Sequence, residues 1–436
     1  MLADDRPTRV RYGVLAFLCA LAFVLYLDRL CMGIAAGRIQ AELELSNKEM
    51  GWIHGAFLLA YGLFEVPTGR WGDRHGSRGV LVRIVLWWSA FTALTGAAQG
   101  MAMLFAVRFL FGAGEAGALP NAARVVTRWF PPGGRGPAQG SINTAVLIGG
   151  VVAPPGTQWL MENLGWRSTF AVFGALGVVW AVAFYLWFRD DPRKHPTVNQ
   201  AERDLIRGEA SGEPTDTAHP PVPWRLVLTS PSVWLLGGVI SCSAFASYLY
   251  YSWYPTYLQK GRGLSEQASG WLTSVVLIGG AVGCVTGGYV NDWLVGRTGE
   301  KRWTRRLLAS GGLSCAALAL FASIQCDAVW AAVSLTACAS FSAMITLTTW
   351  WAVVTDISGK HLGALFGLMN SLGVPGGFGS QLFFGAAADW YGARGFSGRE
   401  QWDPAFYVYT FVLLLGALGW LFIDTTRSVV DTKQVD

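Results

Sequence analysis

Apolar residues fill this 436-residue chain in long runs, separated by short polar bands. Each run is about 20 residues long, enough to cross roughly 30 Å of hydrocarbon as an α-helix. Twelve such helices are predicted, at 12–36, 50–69, 80–99, 101–123, 136–160, 168–188, 231–257, 268–290, 307–325, 328–354, 362–387 and 404–424. The first run is too long for a cleaved signal segment and lacks a small-residue cleavage site, so it is expected to stay in the mature chain. The longest polar stretch, 189–230, is rich in Pro, Asp, Glu and Ser and falls between the sixth and seventh runs. Such composition suits a solvated linker. The chain is therefore expected to comprise an N-terminal six-helix half (1–188), a linker (189–230) and a C-terminal six-helix half (231–436). Within the linker, Val198, Leu205 and Ile206 fit the apolar side of a short amphipathic helix over 198–208.

Composition narrows this to a membrane protein. The chain is 52% hydrophobic and only 14% charged, with 54 Gly and 21 Trp. Soluble chains carry about 25% charged residues, whereas Gly at helix contacts and Trp at the lipid interface mark polytopic membrane proteins. The expected fold class is all-α with twelve transmembrane helices. Lys and Arg set the orientation. With both termini in the cytoplasm, the inside bands hold 24 of the 33 basic residues and the outside bands seven. That asymmetry is the positive-inside pattern. The net charge of +5 is spread over many loops, so it reflects topology and not a nucleic-acid surface. The seven Cys lie almost entirely in apolar runs, with no CxxC and no Cys/His cluster of metal spacing. No disulfide framework, metal or other cofactor is expected.

The two halves echo each other. "GRWGDRHGSRG" (69–79) follows the second run and "GGYVNDWLVGRTGEKR" (287–302) follows the eighth, each placing Gly, Asp, Arg and Gly in the same order. Duplicated six-helix halves with a site between them near the midplane are a known transporter plan. "GRWGDRHGSR" resembles the loop 2–3 signature of the major facilitator superfamily. Together with "AYGLFEVPTG", "RFLFGAGEAGALP" (108–120) and "DDPRKHP" after the sixth run, it resembles the anion:cation symporter family, over nearly the whole chain. That family includes bacterial sugar-acid carriers and animal organic-anion and phosphate carriers. The resemblance implies the major facilitator fold and transport of a small anion by a bacterial inner-membrane protein, with a monomer expected. Tyr61 resembles the family's substrate-facing Tyr. Many sugar-acid carriers have Gln about where Val146 stands, next to Asn143 and Thr144, so the polyol contacts differ here.

Charges inside the runs point to the chemistry. A charge at the bilayer centre costs at least about 2.5–3.5 kcal/mol, so such residues usually face a cavity. Four stand out: Asp28, Arg29, Arg108 and Glu115. At 1.5 Å per residue, Asp28, Arg29 and Arg108 share the outer half, while Glu115 lies roughly 10 Å deeper than Arg108 on the same stripe. Asp28 can reach Arg108, leaving Arg29 to bind an anion bidentately; Arg29 can equally pair with Glu115. We assign the substrate clasp to Arg29 and the neutralising role to Arg108, with Asp28 and Glu115 as proton-coupling groups. Burial favours a neutral carboxyl group and a neighbouring Arg a charged one. A proton and an anion then favour each other's binding reciprocally. The alternative for these charges is a static helix-to-helix ion pair.

Other polar positions are secondary. His54, Phe57, Tyr61 and Glu65 share a helical stripe. Tyr61 is expected to bind a substrate hydroxyl, His54 to sit at the outer interface and Glu65 to pair with an Arg near the inner end. Asn370, in a Gly-rich eleventh run, is a candidate substrate contact or an interhelical hydrogen bond. The Tyr-rich "YLYYSWYPTYL" (248–258) suits a cavity lining or an interfacial belt. Gly69 and Gly76 permit tight turns. Asp73, with Arg74 and Arg78, can take a helix N-terminus and act as a conformational latch.

The chain is thus expected to import a sugar acid or related carboxylate by proton symport with alternating access. Its expected partners are a small anion, protons and the bilayer, with no nucleic acid. A phosphate or organophosphate carrier is the alternative within the class. A non-transporting sensor would need a signalling domain or long loops. An enzyme is not expected, since GxSxG and metal-ligand clusters are absent from the sequence and His numbers only five.

Overall fold

The computed structural model describes residues 6–207, 223–358 and 361–424, except for the side chains of 66, 69–75, 362 and 363. Among the described residues every regular element is helical. The helices are α1 (Val10–Leu43), α2 (Asn47–His75), α3 (Ser77–Thr95), α4 (Met101–Glu115), α5 (Ala118–Trp129), α6 (Pro132–Trp187), α7 (Gln200–Arg207), α8 (Trp224–Thr229), α9 (Pro231–Tyr248), α10 (Tyr254–Thr256), α11 (Glu266–Thr298), α12 (Lys301–Gln325), α13 (Val329–Ile357), α14 (Leu362–Gly392) and α15 (Arg399–Phe422). Eight helical segments are long and apolar enough by themselves to cross a bilayer. One of these, α6, is two passes merged, because Gly165 leaves helical geometry at φ 75° and divides the fifth span from the sixth. The α4–α5 run (Met101–Trp129) and the α9–α10 run (Pro231–Gly261) are two more of the eight, and α2, α3 and α14 add three further passes. The result is the twelve-helix architecture that the apolar runs predict.

Local chemistry sets the boundaries. α2 opens on a capping box: the Glu49 N–H donates to Ser46 Oγ (3.2 Å) and the Ser46 N–H to Glu49 Oε2 (2.9 Å). This satisfies two of the donors that a helix start leaves open. The helix then continues through 69–75 and stops at Gly76, which alone of this stretch takes a positive φ (79°). The expected tight turn at Gly69 is therefore not there; its backbone is helical, and only Gly76 makes the turn.

The fourth span is also not the continuous helix expected over 101–123. It breaks after Glu115, at Ala116–Gly117, and restarts as α5. Pro120 supplies the reason, since it has no N–H to donate to the carbonyl four residues back. The seventh span is likewise irregular, with wide π-type turns at Leu249–Trp253 and Tyr257–Gly261 on either side of Pro255.

Contacts group the chain into two compact units. The first comprises Met1–Cys31, Ala60–Ala153 and Leu160–Pro220. The second comprises Met32–Leu59, Pro154–Trp159 and Pro221–Asp436. In the first unit the linker helix is anchored at its polar side. Glu202, fully buried, accepts from the Val10 and Arg11 backbone N–H groups (both 3.2 Å), from the Arg11 guanidinium (3.0 Å) and from Thr8 Oγ1 (2.5 Å). It thereby caps the start of α1. Leu205, expected on the packed side of this helix, is 41% exposed instead. A carboxylate that answers four donors outweighs one Leu side chain at a wet surface. His195 lies buried against Trp129 and Trp187. Burial and the Arg189 charge hold its imidazole below the usual histidine range.

Candidate functional site

Three helices of the first unit bring the predicted charges together. α1 supplies Asp28 and Arg29, α4 supplies Arg108 and Glu115, and α2 supplies Tyr61. Glycines allow the close approach of the surrounding helices. A Cβ at Gly149 of α6 would stand 2.7 Å from the Phe23 carbonyl of α1, about one and a half turns before Asp28. A Cβ at Gly117 would stand 2.9 Å from Thr68 Cβ and 3.0 Å from Ile84 Cδ1. Close approach of this kind is the common use of small residues in membrane helices.

Arg29 and Glu115 form a direct ion pair through Nε and Oε1. Of the two pairings open from the sequence, this one is present. The Arg29 guanidinium also lies over the Tyr61 ring, 4.8 Å from its centroid, and over the Tyr26 ring at 5.3 Å. Two electron-rich faces and one carboxylate thus hold the cation. Arg29 keeps 16% of its side-chain surface, while Glu115 keeps none. Arg108 is only 2% exposed and Asp28 only 1%. The Arg108 guanidinium rests 4.2 Å from the Phe111 centroid, in the field of Asp28 and Glu115. Asp28 has Glu115, Arg108 and the Trp88 indole around it. No hydrogen bond of ordinary geometry closes on either of its oxygens among the described residues. Arg29 is therefore the more exposed cation of the cluster.

Other predicted residues are placed elsewhere. Asn370 is half-buried on α14 in the second unit. His54 also belongs to the second unit; it is 6% exposed and meets the Trp253 ring edge-on. It is not the interfacial residue expected, because it is buried with its ring against Trp253. Tyr250, Tyr254 and Tyr257 of the Tyr-rich run are buried too, so they form no interfacial belt. Thr144 turns back to the Gly140 carbonyl of its own helix. The side chains of Asp73 and Arg74 lie outside the described residues, as does that of Val66.

The sequence missed several partners. Tyr26 lies one helical turn before Arg29 on α1, a spacing that could have flagged it. Asp190, from the stretch after the sixth span, accepts from the Arg78 backbone N–H (2.9 Å) and stands 3.9 Å from Arg128. It sits at the N-terminus of α3, where a carboxylate is favoured. Arg78 meanwhile reaches the Tyr185 carbonyl and lies over the Tyr185 ring. At the second copy of the motif, Lys301 (3.2 Å), and Arg305 just beyond it (2.8 Å), are answered by Asp356 of α13.

Gly76 fits this junction tightly. Its φ of 79° disfavours any side chain, and a Cβ there would lie 3.1 Å from Asp190 Oδ2. Gly76→Ala is expected to cost about 1–3 kcal/mol from backbone strain. Asp190→Asn, which keeps the shape but removes the charge, is expected to cost about 0.3–1 kcal/mol. Thermal unfolding in detergent measures both, and equal losses would contradict the ranking.

The sequence matches the Major Facilitator Superfamily over residues 18–381. The chain belongs to this superfamily. It is a membrane transporter, and its similar relatives carry anions. It is 31% identical to a probable sulfoacetate transporter of Cupriavidus necator over 97% of this chain and 95% of that protein. It is 32% identical to a probable galactarate/D-glucarate transporter of Bacillus subtilis, over 84% and 83% respectively. A D-galactonate transporter of Escherichia coli is 29% identical, over 99% and 98%. Among solved structures, a bacterial homologue of the human lysosomal transporter Spinster shares the fold with a TM-score of 0.81, at 21% identity, over 95% of this chain and 97% of that one. These three relatives are named for organic anions, and the solved structure shares the fold.

Proposed function

We propose that this superfamily member imports a small carboxylate, of the sugar-acid or a related class, by proton symport with alternating access. Both termini then lie in the cytoplasm, as the distribution of basic residues indicates, with the chain in a bacterial inner membrane. One observation carries the reading: the more exposed cation, Arg29, is held by a fully buried carboxylate, Glu115. A substrate carboxylate and Glu115 compete for the same guanidinium. A proton on Glu115 weakens its hold on Arg29, and the substrate takes the vacated fork with two parallel N–H···O bonds. Substrate departure returns Arg29 to Glu115 and favours release of the proton. Proton and anion then raise each other's affinity by the same factor, which is the thermodynamic condition for symport. Asp28, close to Arg108 and Trp88, is a second protonatable site. Tyr61 holds Arg29 from the side and can turn its hydroxyl to the substrate.

A phosphate carrier would draw on two reachable arginines for a multiply charged oxyanion. Arg108 is 2% exposed and beside Asp28, which favours the carboxylate reading. Uptake of labelled sugar acids into proteoliposomes decides the matter. Accumulation driven by an inward proton gradient is expected; uptake that ignores the gradient would remove the proton, and preferential uptake of phosphate would replace the substrate class.

A further inference from the structure

We propose that Glu266 and Asp389 form the latch that holds the external face of this carrier closed. The proposal rests on the orientation and alternating-access reading above, under which residues 33–51, 260–266 and 381–392 lie at the external ends of their helices.

All of the contacts lie within the second unit. Asp389, near the end of α14, accepts the Lys48 backbone N–H (2.7 Å), the Asn47 backbone N–H (3.2 Å) and the Asn47 amide (2.8 Å). It caps α2 at the two first-turn donors that the Ser46–Glu49 capping box leaves open, where the helix dipole favours an anion. The same network continues through Asn47 Oδ1 to the Gln40 amide (3.0 Å), and through Gln40 Oε1 to Lys260 Nζ (2.9 Å). Glu266, the first residue of α11, accepts from Arg38 of α1 (2.6 Å) and from the Gln158 amide of α6 (3.0 Å). Two carboxylates from the C-terminal half thus bind the ends of three helices from the N-terminal half.

The backbone fit is equally specific. A Cβ at Gly385 would stand 2.2 Å from the Asn47 carbonyl, and one at Gly51 would stand 2.6 Å from the Gln381 carbonyl. Real Cβ atoms do not approach that closely. The glycines let the helices meet backbone to backbone, and the carboxylates fasten the rim. Neither acid touches the Arg29–Glu115 cluster, so their role is positional. They set how often the external face opens, not how tightly the cavity grips an anion.

The test is hydrogen–deuterium exchange of the full-length protein in lipid nanodiscs, read at both faces. In the Glu266→Gln/Asp389→Asn double variant, exchange at 33–50 and 381–392 is expected to rise several-fold while exchange at 69–79 and 297–306 falls. Gly385→Ala, which leaves both charges in place, is expected to shift the pattern the same way by wedging the contact. Arg38→Glu with Glu266→Arg is expected to return the Glu266 half of the latch toward the parent pattern. The reciprocal change is the signature of a shifted two-state equilibrium. Faster exchange at both faces would mean that these residues merely stabilise the fold, and unchanged exchange would mean that the contacts are idle; either overturns the proposal. A protein that moves no anion would still report the latch in this experiment, so the transport reading and the latch fail separately.

Discussion

Glu115→Gln is expected to abolish proton-driven accumulation while leaving counterflow exchange of substrate intact. Glutamine keeps the shape and can still accept the Arg29 Nε–H through its amide oxygen. It cannot titrate and cannot meet Arg29 with a full charge. Arg29 then stays as it would be opposite a protonated Glu115, ready for an anion at every pH. Binding should lose its pH dependence, and the carrier should equilibrate substrate in both directions without concentrating it. The measurement compares uphill uptake under an inward proton gradient with exchange at equal pH. Concentrative uptake at the parent level would remove Glu115 from the coupling. Loss of both activities would mean that the Arg29–Glu115 pair is chiefly structural.

The second large effect separates the two arginines. Arg29→Lys keeps a cation but loses the planar fork and its stacking on Tyr26 and Tyr61. It should weaken substrate binding by about 1.5–3 kcal/mol, the scale of one charged hydrogen bond, or roughly 10- to 150-fold. Arg108 is enclosed by Phe111, Asp28 and Glu115, so its loss should act on the protein before it acts on the substrate. Removing one partner of a buried charged pair costs about 3–5 kcal/mol, because the remaining charge is left without compensation. Arg108→Ala is therefore expected to destabilise strongly, and Asp28→Asn to recover part of that loss by removing the orphaned charge. Isothermal binding and thermal unfolding on the two single variants and the double variant give the answer. Parent affinity in Arg29→Lys would overturn its assignment as the clasp. Additive losses in Asp28→Asn/Arg108→Ala would show that those two groups do not share a charge balance.

Much of the architecture was legible in the sequence because a bilayer enforces a simple rule. Every backbone polar group inside it must be satisfied within the segment, so each apolar run becomes a helix. The twelve spans and the helix in the linker followed from run length and spacing alone. So did the candidate charges, since an ionised group in an apolar run stands out by its cost. The seven-residue interval between Arg108 and Glu115 placed both on one face of α4. The superfamily, too, could be read from short motifs.

Partner choice was not legible. The sequence left open whether Asp28 meets Arg108 and frees Arg29 or Arg29 meets Glu115; the packing of α1 against α4 brought Arg29 to Glu115. Asp190 was part of a quoted motif, yet its place at the N-terminus of α3 depends on where the chain returns after α6. Asp356 answers the basic residues of the second motif from another helix altogether. Glu266 and Asp389 drew no notice, because near a helix end a single carboxylate looks like ordinary solvated charge. Helix continuation past Gly69 and the break after Glu115 also escaped, since apolar runs report burial and not backbone geometry. Local sequence sets which segments are helices and which side chains share a face. Which faces meet depends on contacts between residues far apart in the chain, and only the packed structure decides them.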